Sequence, residues 1–377
     1  MNWKIPLFNI YWDDDDVELV RQTIQRGSHW AIGPNIEKFE SMLADYIGTK
    51  YALVFSSGTS ALHSVLLACG IGENDEVIVP SFTFIATANA ALFVRAKPIF
   101  ADIEQKTFGL DPVDVVKRIS PRTKAIIPVH YAGCPCMIEE LAQIAQEHKL
   151  LLIEDAAESL GATVRGRKVG SYGYCAVLSF CANKVITTGE GGAVVTNSDD
   201  VYHRLKLIRS HGRADTVNYF DAAENMDYIA LGYNFRMSDV TAALGVAQLR
   251  KVQKLINMRK LNAELMCSKL ANLPQIILPT IPDDYNHVFQ MFTIQVKDPE
   301  SRDHLAAHMA SRSIMTKVYF EPVHLTKFYK DSMRYRCELP VTECISKRVI
   351  TLPLYPGLSR DDINYITSSI AEFYGVL

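Results

Sequence analysis

Short apolar runs alternate with longer stretches of helical periodicity along the first half of the chain. The runs are YALVF (51–55), EVIV (76–79), PIFAD (98–102), KAIIPV (124–129), LLLIE (150–154), CAVLSF (175–180) and GAVVT (192–196). All are short and rich in β-branched or aromatic side chains, which predicts strands covered on both faces. Between most of them lie helix-length segments, notably TSALHSVLLACG, TFIATANAALFV and MIEELAQIAQEHK. This alternation predicts βαβ units and a largely parallel sheet with helices on both sides.

The flanking regions follow other patterns. Four aspartates at 13–16 precede VELVRQTIQRG, which predicts a helix with an acidic start and Gly27 as its stop. Such a charge run complements a helix dipole better than it makes a metal site. From Ser238, a candidate N-cap, apolar residues recur at Val240, Leu244, Leu249, Val252, Leu255 and Ile256. One or two long helices over 238–272 are expected, leading out of the first domain. Beyond them come a strand-like VFQMFTIQV (288–296), a helix at 301–312, a strand-like IMTKVYF and a terminal helix opening at Ser359, with Asp362 placed for a capping box. The expected division is a large domain, 1–250, and a smaller C-terminal α/β domain, 251–377. A chain of 377 residues suits two or three domains at about 150 residues each.

Composition narrows the function classes. With 48% hydrophobic and 21% charged residues and a net charge of -3, nothing suggests nucleic acid or an anionic membrane as partner. No apolar run approaches the roughly 18 residues of a membrane span, and the N-terminus lacks a secretory pattern. Eight scattered cysteines without a CxxC pair suit a reducing cytoplasm. The single CxC, Cys134 and Cys136, has no histidine at zinc-site spacing, so no metal is expected. GIGEND (70–75) precedes a strand and carries Asp75 where a dinucleotide fingerprint needs its last glycine. GEGG (189–192) is followed by no Gly-Lys-Ser/Thr and reads as a tight turn, with Glu190 of unassigned role.

In open parallel sheets, ligands bind beyond the carboxyl ends of the strands. After YALVF comes SSGTSAL, where Gly58, Thr59 and Ser60 open a helix that can cradle a phosphate. After LLLIE comes Asp155, able to hold a proton on a ring nitrogen. After CAVLS come Ser179 and, five residues on, Lys184, whose partly desolvated amine can form a Schiff base. Each has a plainer reading: the hydroxyls and Asp155 as helix caps, and Lys184 as a solvated loop residue. Together they form an anchor, a ring tuner and a covalent tether, which is what pyridoxal phosphate requires.

The chain resembles the sugar-nucleotide aminotransferases of the DegT/DnrJ/EryC1/StrS family, within the fold type I pyridoxal phosphate enzymes. The resemblance runs from GPNIEKFE (33–40) through SSGTSALHSVLLACGIGENDEVIVPSFTFIATANA, PVHYAG, IEDAAESLGA, SFCANKVITTGEGGAVVT and RSHGR to LGYNFRMSDVTAALGVAQL and YFEPVHL (319–325). It implies a three-layer α/β/α large domain with a mostly parallel sheet, plus a smaller C-terminal α/β domain. It also implies that the cofactor cycles between pyridoxal and pyridoxamine phosphate, with Lys184 as covalent tether and acid/base. Asp155 would pair with the pyridine nitrogen, Phe84 stack on the ring, and Glu158, where many relatives have glutamine, lie near the ring hydroxyl. Gly58, Thr59, Ser60 and Ser179 match phosphate-binding positions. Asn234 matches the asparagine that reaches the neighbouring subunit's phosphate, which implies a homodimer with shared active sites. Trp30, His130, Tyr319 and His324 match places used around a nucleotide sugar, and an amino-acid donor, most simply L-glutamate, completes the substrates. The nucleotide-linked 4-keto-6-deoxy sugar, a 3-keto sugar and a cyclitol all remain open as acceptors. A related dehydratase would place histidine at position 184, and a non-catalytic regulatory homologue would have no need of the set.

Overall fold

The computed structural model of the protein describes residues 3–214 and 227–376. Its centre is a seven-stranded sheet made from β1 (Tyr51–Phe55), β2 (Glu76–Pro80), β3 (Lys97–Ala101), β4 (Thr123–Ile126) and β5 (Leu151–Asp155), then, past the two-residue β6 (Thr163–Val164) and β7 (Arg167–Lys168), from β8 (Cys175–Ser179) and β9 (Gly192–Thr196). The order is β1-β9-β8-β5-β4-β2-β3. Only β9 is reversed within this sheet, antiparallel to both β1 and β8. Its first residue, Gly192, therefore lies beside the last residues of its neighbours, Phe55 and Ser179.

Alternation along each strand decides which helices cover which face. Leu53, Phe55, Val177 and Val194 face one core, with α3 (Gly58–Ala68), α4 (Ala86–Phe93) and α7 (Asp199–Arg209). Ala52, Val54, Leu178 and Val195 face the opposite core, built with α2 (Pro34–Ile47) and α8 (Asp239–Arg250). Further along that face, Ile78, Ala101, Ile126 and Leu152 pack against α5 (Pro112–Arg118) and α6 (Ile138–Glu147). This is the expected three-layer arrangement. Helix α1 (Asp14–Gln25) begins in a capping box between Asp13 and Asp16, so the acidic run does complement a helix N-terminus. It also docks on α8, because Lys251 pairs with Asp13 and Asp16 and Arg250 with Asp15.

Those ion pairs mark the place where the 238–272 helical stretch breaks. After Ser238 caps α8, Lys251 interrupts and α9 (Val252–Leu270) continues. Val252, Leu255 and Ile256 of α9 lie in the core of the large sheet, whereas Ala263, Met266 and Leu270 lie in a second core. There a small antiparallel sheet, β10 (Ile276–Ile277), β12 (Phe292–Val296) and β13 (Val349–Leu352), packs against α10 (Pro299–Ser311) and α12 (Arg360–Phe373). The intervening β11 (Tyr285–Asn286) pairs instead with β6. The first amides of the short α11 (Pro340–Ser346), those of Val341 and Thr342, donate to the buried Asp102 carboxylate.

Two strand expectations fail for local reasons. The run at 288–296 is strand only from Phe292, since the Val288 and Met291 amides donate to the Gly133 and Ala132 carbonyls of the large domain. IMTKVYF makes isolated bridges only, Ile314 to Ile5 and Lys317 to Thr351. Among the described residues no helix is long and apolar enough to cross a membrane. No cluster of three metal-ligating side chains occurs among them either.

Candidate active site

At the carboxyl edge of the large sheet, three elements converge on the start of α3. Ser57 caps the helix by accepting from the Ser60 amide at 3.0 Å, and Ser60 Oγ accepts from the Ser57 amide at 3.1 Å. Ser60 Oγ donates in turn to the Ser57 carbonyl at 2.8 Å, so both the amide and the hydroxyl of Ser60 are engaged in the cap. The amides of Gly58 and Thr59 remain directed out of the helix N-terminus, where an anion is favoured. A Cβ on Gly58 would lie 3.2 Å from Ser179 Cβ, and one on Gly192 only 2.5 Å from the Gly58 nitrogen. Glycine at both positions lets the helix start approach Ser179 and the β8–β9 edge.

Asp155 ends β5 and is buried. Thr87 Oγ1 donates to its Oδ2 at 2.8 Å and the Ala157 amide to its Oδ1 at 3.2 Å. Burial holds its carboxyl above the usual carboxylate range, despite these donors and the Lys184 charge. Glu158 is also buried and also raised by desolvation. Its Oε2 accepts from the Ala132 amide at 2.9 Å, and its Oε1 lies 3.5 Å from Lys184 Nζ. Lys184 itself rides on the loop joining β8 to β9, with its side chain largely covered. The Lys184 amine thus lies against one buried carboxyl group, Glu158, and within the field of a second, Asp155.

The substrate candidates separate into two groups. His130 is fully buried. Its Nδ1 accepts from the Cys136 amide at 3.1 Å, which leaves Nε2–H to donate to Glu154 at 3.1 Å. Glu154 also accepts from the amides of Gly170, Tyr172 and Gly173, each at 2.7 Å. His130 therefore braces the loop after β7 and has no face left for a substrate. His324 is likewise buried, 2.6 Å from Ser81 Oγ and 3.4 Å from Glu343, so direct substrate contact is corrected for it too. Trp30 and Phe84, by contrast, are half exposed or more, at 50% and 59%. That exposure removes the alternative of Phe84 as a core residue; its ring stands 6.4 Å from that of Phe320. Tyr319 is partly buried beside Asn183, and Asn234 is exposed and bridged to Ser210.

Thr87, Glu154 and Gly192 were not anticipated. Glu154 is hidden in sequence by its apolar strand, and Thr87 by an ordinary helix start. Only Gly192 left a signal, as the last glycine of GEGG.

The residues present fit pyridoxal phosphate. A carboxylate has about four acceptor positions, and Asp155 uses two; a protonated ring nitrogen would supply the buried charge with its counter-ion. The α3 start and Ser179 suit the phosphate, and Lys184 offers the amine.

The sequence pattern of the DegT/DnrJ/EryC1/StrS aminotransferase family matches residues 11–371. The GDP-perosamine synthase of Caulobacter vibrioides is 38% identical over 345 residues, covering 91% of each chain. That of Escherichia coli O157:H7 is 36% identical over 370 residues and 98% of each. Among solved structures, DesV of S. venezuelae superposes with a TM-score of 0.90 at 32% identity, over 98% of both chains. With the edge geometry above, these likenesses establish that the chain belongs to the DegT/DnrJ/EryC1/StrS aminotransferase family, as a sugar aminotransferase that uses pyridoxal phosphate.

Proposed function

We propose that the protein moves the amino group of L-glutamate to the keto carbon of a nucleotide-linked 4-keto-6-deoxy sugar, as a GDP-perosamine synthase does. The observation that carries the chemistry is the 3.5 Å approach of Lys184 to Glu158 beside buried Asp155. The sugar class rests on the 38% identity to a GDP-perosamine synthase over 91% of both chains.

Bound at the strand ends, pyridoxal phosphate supplies an electron sink for the bond electrons at the donor's Cα. Asp155 keeps a proton on the ring nitrogen, which deepens that sink. The Gly58 and Thr59 amides with Ser179 hold the phosphate, and Phe84 covers the ring face. With the cofactor held there, Lys184 would be the base placed to take the donor's Cα proton. Glu158, fixed by the Ala132 amide, orients that ammonium between transfers. In the second half reaction Lys184 returns a proton to the sugar carbon. Trp30 and Tyr319 line the approach for the nucleotide sugar.

A homodimer completes the site in this reading. Tyr228, Ile229 and Leu231 stand out at 58%, 60% and 83% exposure beside Asn234, an apolar rim suited to a second copy. The eight free thiols suit the cytoplasm, and the amino sugar would enter polysaccharide synthesis such as that of O-antigen. The experiment is to incubate the protein with glutamate and a panel of GDP-, dTDP- and UDP-linked 4-keto and 3-keto sugars and a keto cyclitol, then read the products by mass spectrometry and proton NMR. A GDP-linked 4-amino-4,6-dideoxy sugar is the expected product. Amination at C3 alone, or of a cyclitol alone, would overturn the substrate assignment and leave the chemistry intact.

A further inference from the structure

Both ends of the peptide plane before Lys184 are held. The Lys184 amide donates to the Cys181 carbonyl at 3.0 Å. On the opposite edge, the Asn183 carbonyl accepts from Gln290 Nε2 at 2.9 Å. Because the tilt of this plane directs the Lys184 Cα–Cβ bond, a side chain 107 residues away in sequence helps to aim the amine.

The chain departs from regular structure to make this contact. Residues 288–291 leave the strand that their apolar pattern predicts, and Phe289 takes a left-handed φ of 50°. Buried Arg259 secures the diverted backbone, its Nη1 donating to the carbonyls of Phe289, Gln290 and Leu354. Two buried polar atoms stay unpaired, Gln290 Oε1 and Arg259 Nε. Leaving such atoms buried without partners is unfavourable, so stability alone would favour an apolar side chain at 290. What Gln290 gives in return is its hydrogen bond to the lysine loop.

We infer that Gln290 is a positioning residue, which sets the direction of Lys184 through the Asn183 carbonyl while Arg259 holds the backbone from which it reaches. The inference rests on the reading of Lys184 as the lysine that engages the cofactor.

The test compares wild type with Gln290→Met, similar in length but without a donor, and Gln290→Glu, a donor only when protonated. The readouts are the thermal midpoint, amine-reagent labelling of Lys184 in the cofactor-free protein followed by peptide mapping, and the glutamate half reaction with protio and 2-deutero donor. Gln290→Met should keep or raise the midpoint and change Lys184 labelling severalfold relative to the other lysines. It should also slow the half reaction at saturating donor by about 10- to 100-fold, with donor affinity unchanged and a larger isotope effect. Gln290→Glu should recover rate as pH falls. Wild-type labelling and rate in Gln290→Met, or a rate loss that only tracks a lowered midpoint in both variants, would overturn the inference. Failure of borohydride to fix cofactor to Lys184 in wild type would instead overturn the assignment of the lysine.

Discussion

Asp155 holds its carboxylate out of water with two donors, Thr87 and the Ala157 amide. Its carboxyl is raised by burial, so the cofactor-free protein loses stability at this residue as pH rises through that raised value. A cationic ring nitrogen offsets the penalty, and this tension makes the residue useful. Asp155→Asn should therefore leave the thermal midpoint of the cofactor-free protein at pH 7 unchanged or higher. The same change should slow the glutamate half reaction by about 10²–10³, as for loss of one preorganised electrostatic group. Melting and single-turnover absorbance together check this. The placement of Asp155 and Ser179 at strand ends, with Lys184 on the loop that follows, was legible because strand ends can be read from apolar runs. His130 and His324 were misplaced because a histidine after a strand looks the same in sequence whether it faces a ligand or a buried glutamate. The partner that decides the matter for His130, Glu154, is 24 residues away.

At the scale of elements, the cradle depends on how closely α3 approaches the β8–β9 edge. Gly192→Ala would put a methyl 2.5 Å from the Gly58 nitrogen, against backbone that cannot turn aside. A loss of about 1–3 kcal/mol is expected from this overpacking, with weakened cofactor affinity, seen in thermal melts and by cofactor titration. Ser179→Ala should instead spare stability and weaken cofactor binding roughly tenfold or more, for one charge-assisted hydrogen bond. Asp239 accepts from Arg26, the Asn35 amide and side chain, and the Ile36 amide, tying α2 to α8. Asp239→Ala should cost about 3–5 kcal/mol, as for breaking a buried charge pair, measured by denaturant unfolding. The large-sheet strands were readable because burial on both faces leaves continuous apolar runs. The two-residue strands β6, β7, β10 and β11 were not, since so few residues show no period. The 288–291 segment was misread because its apolar side chains are buried as they would be in a strand, while its amides serve the other domain.

Across the whole molecule, His287 lies buried and stacked on Phe289, with ring centroids 4.1 Å apart. Burial pushes its pKa down to about 3 from 6.5. A group depressed in the folded state contributes stability above its unfolded value and loses it as pH falls toward the folded one. Between pH 7 and pH 5 this one residue should remove about 2 kcal/mol, and His287→Phe should flatten that part of the stability profile. Half-buried His63 and buried His324 are lowered too and act in the same direction, whereas Asp155 and Glu158 act oppositely. The alternation of strands and helices was visible in the order of elements, but the crossing of α9 between two cores emerges only from packing. The central claim is that Lys184 is the tether and the proton carrier. Borohydride reduction of the purified, cofactor-loaded protein followed by peptide mapping tests it most directly. The account predicts a reduced pyridoxyl group on the peptide carrying Lys184 and on no other lysine, with transamination lost in Lys184→Ala. Cofactor fixed elsewhere, or full transamination by Lys184→Ala, would contradict it.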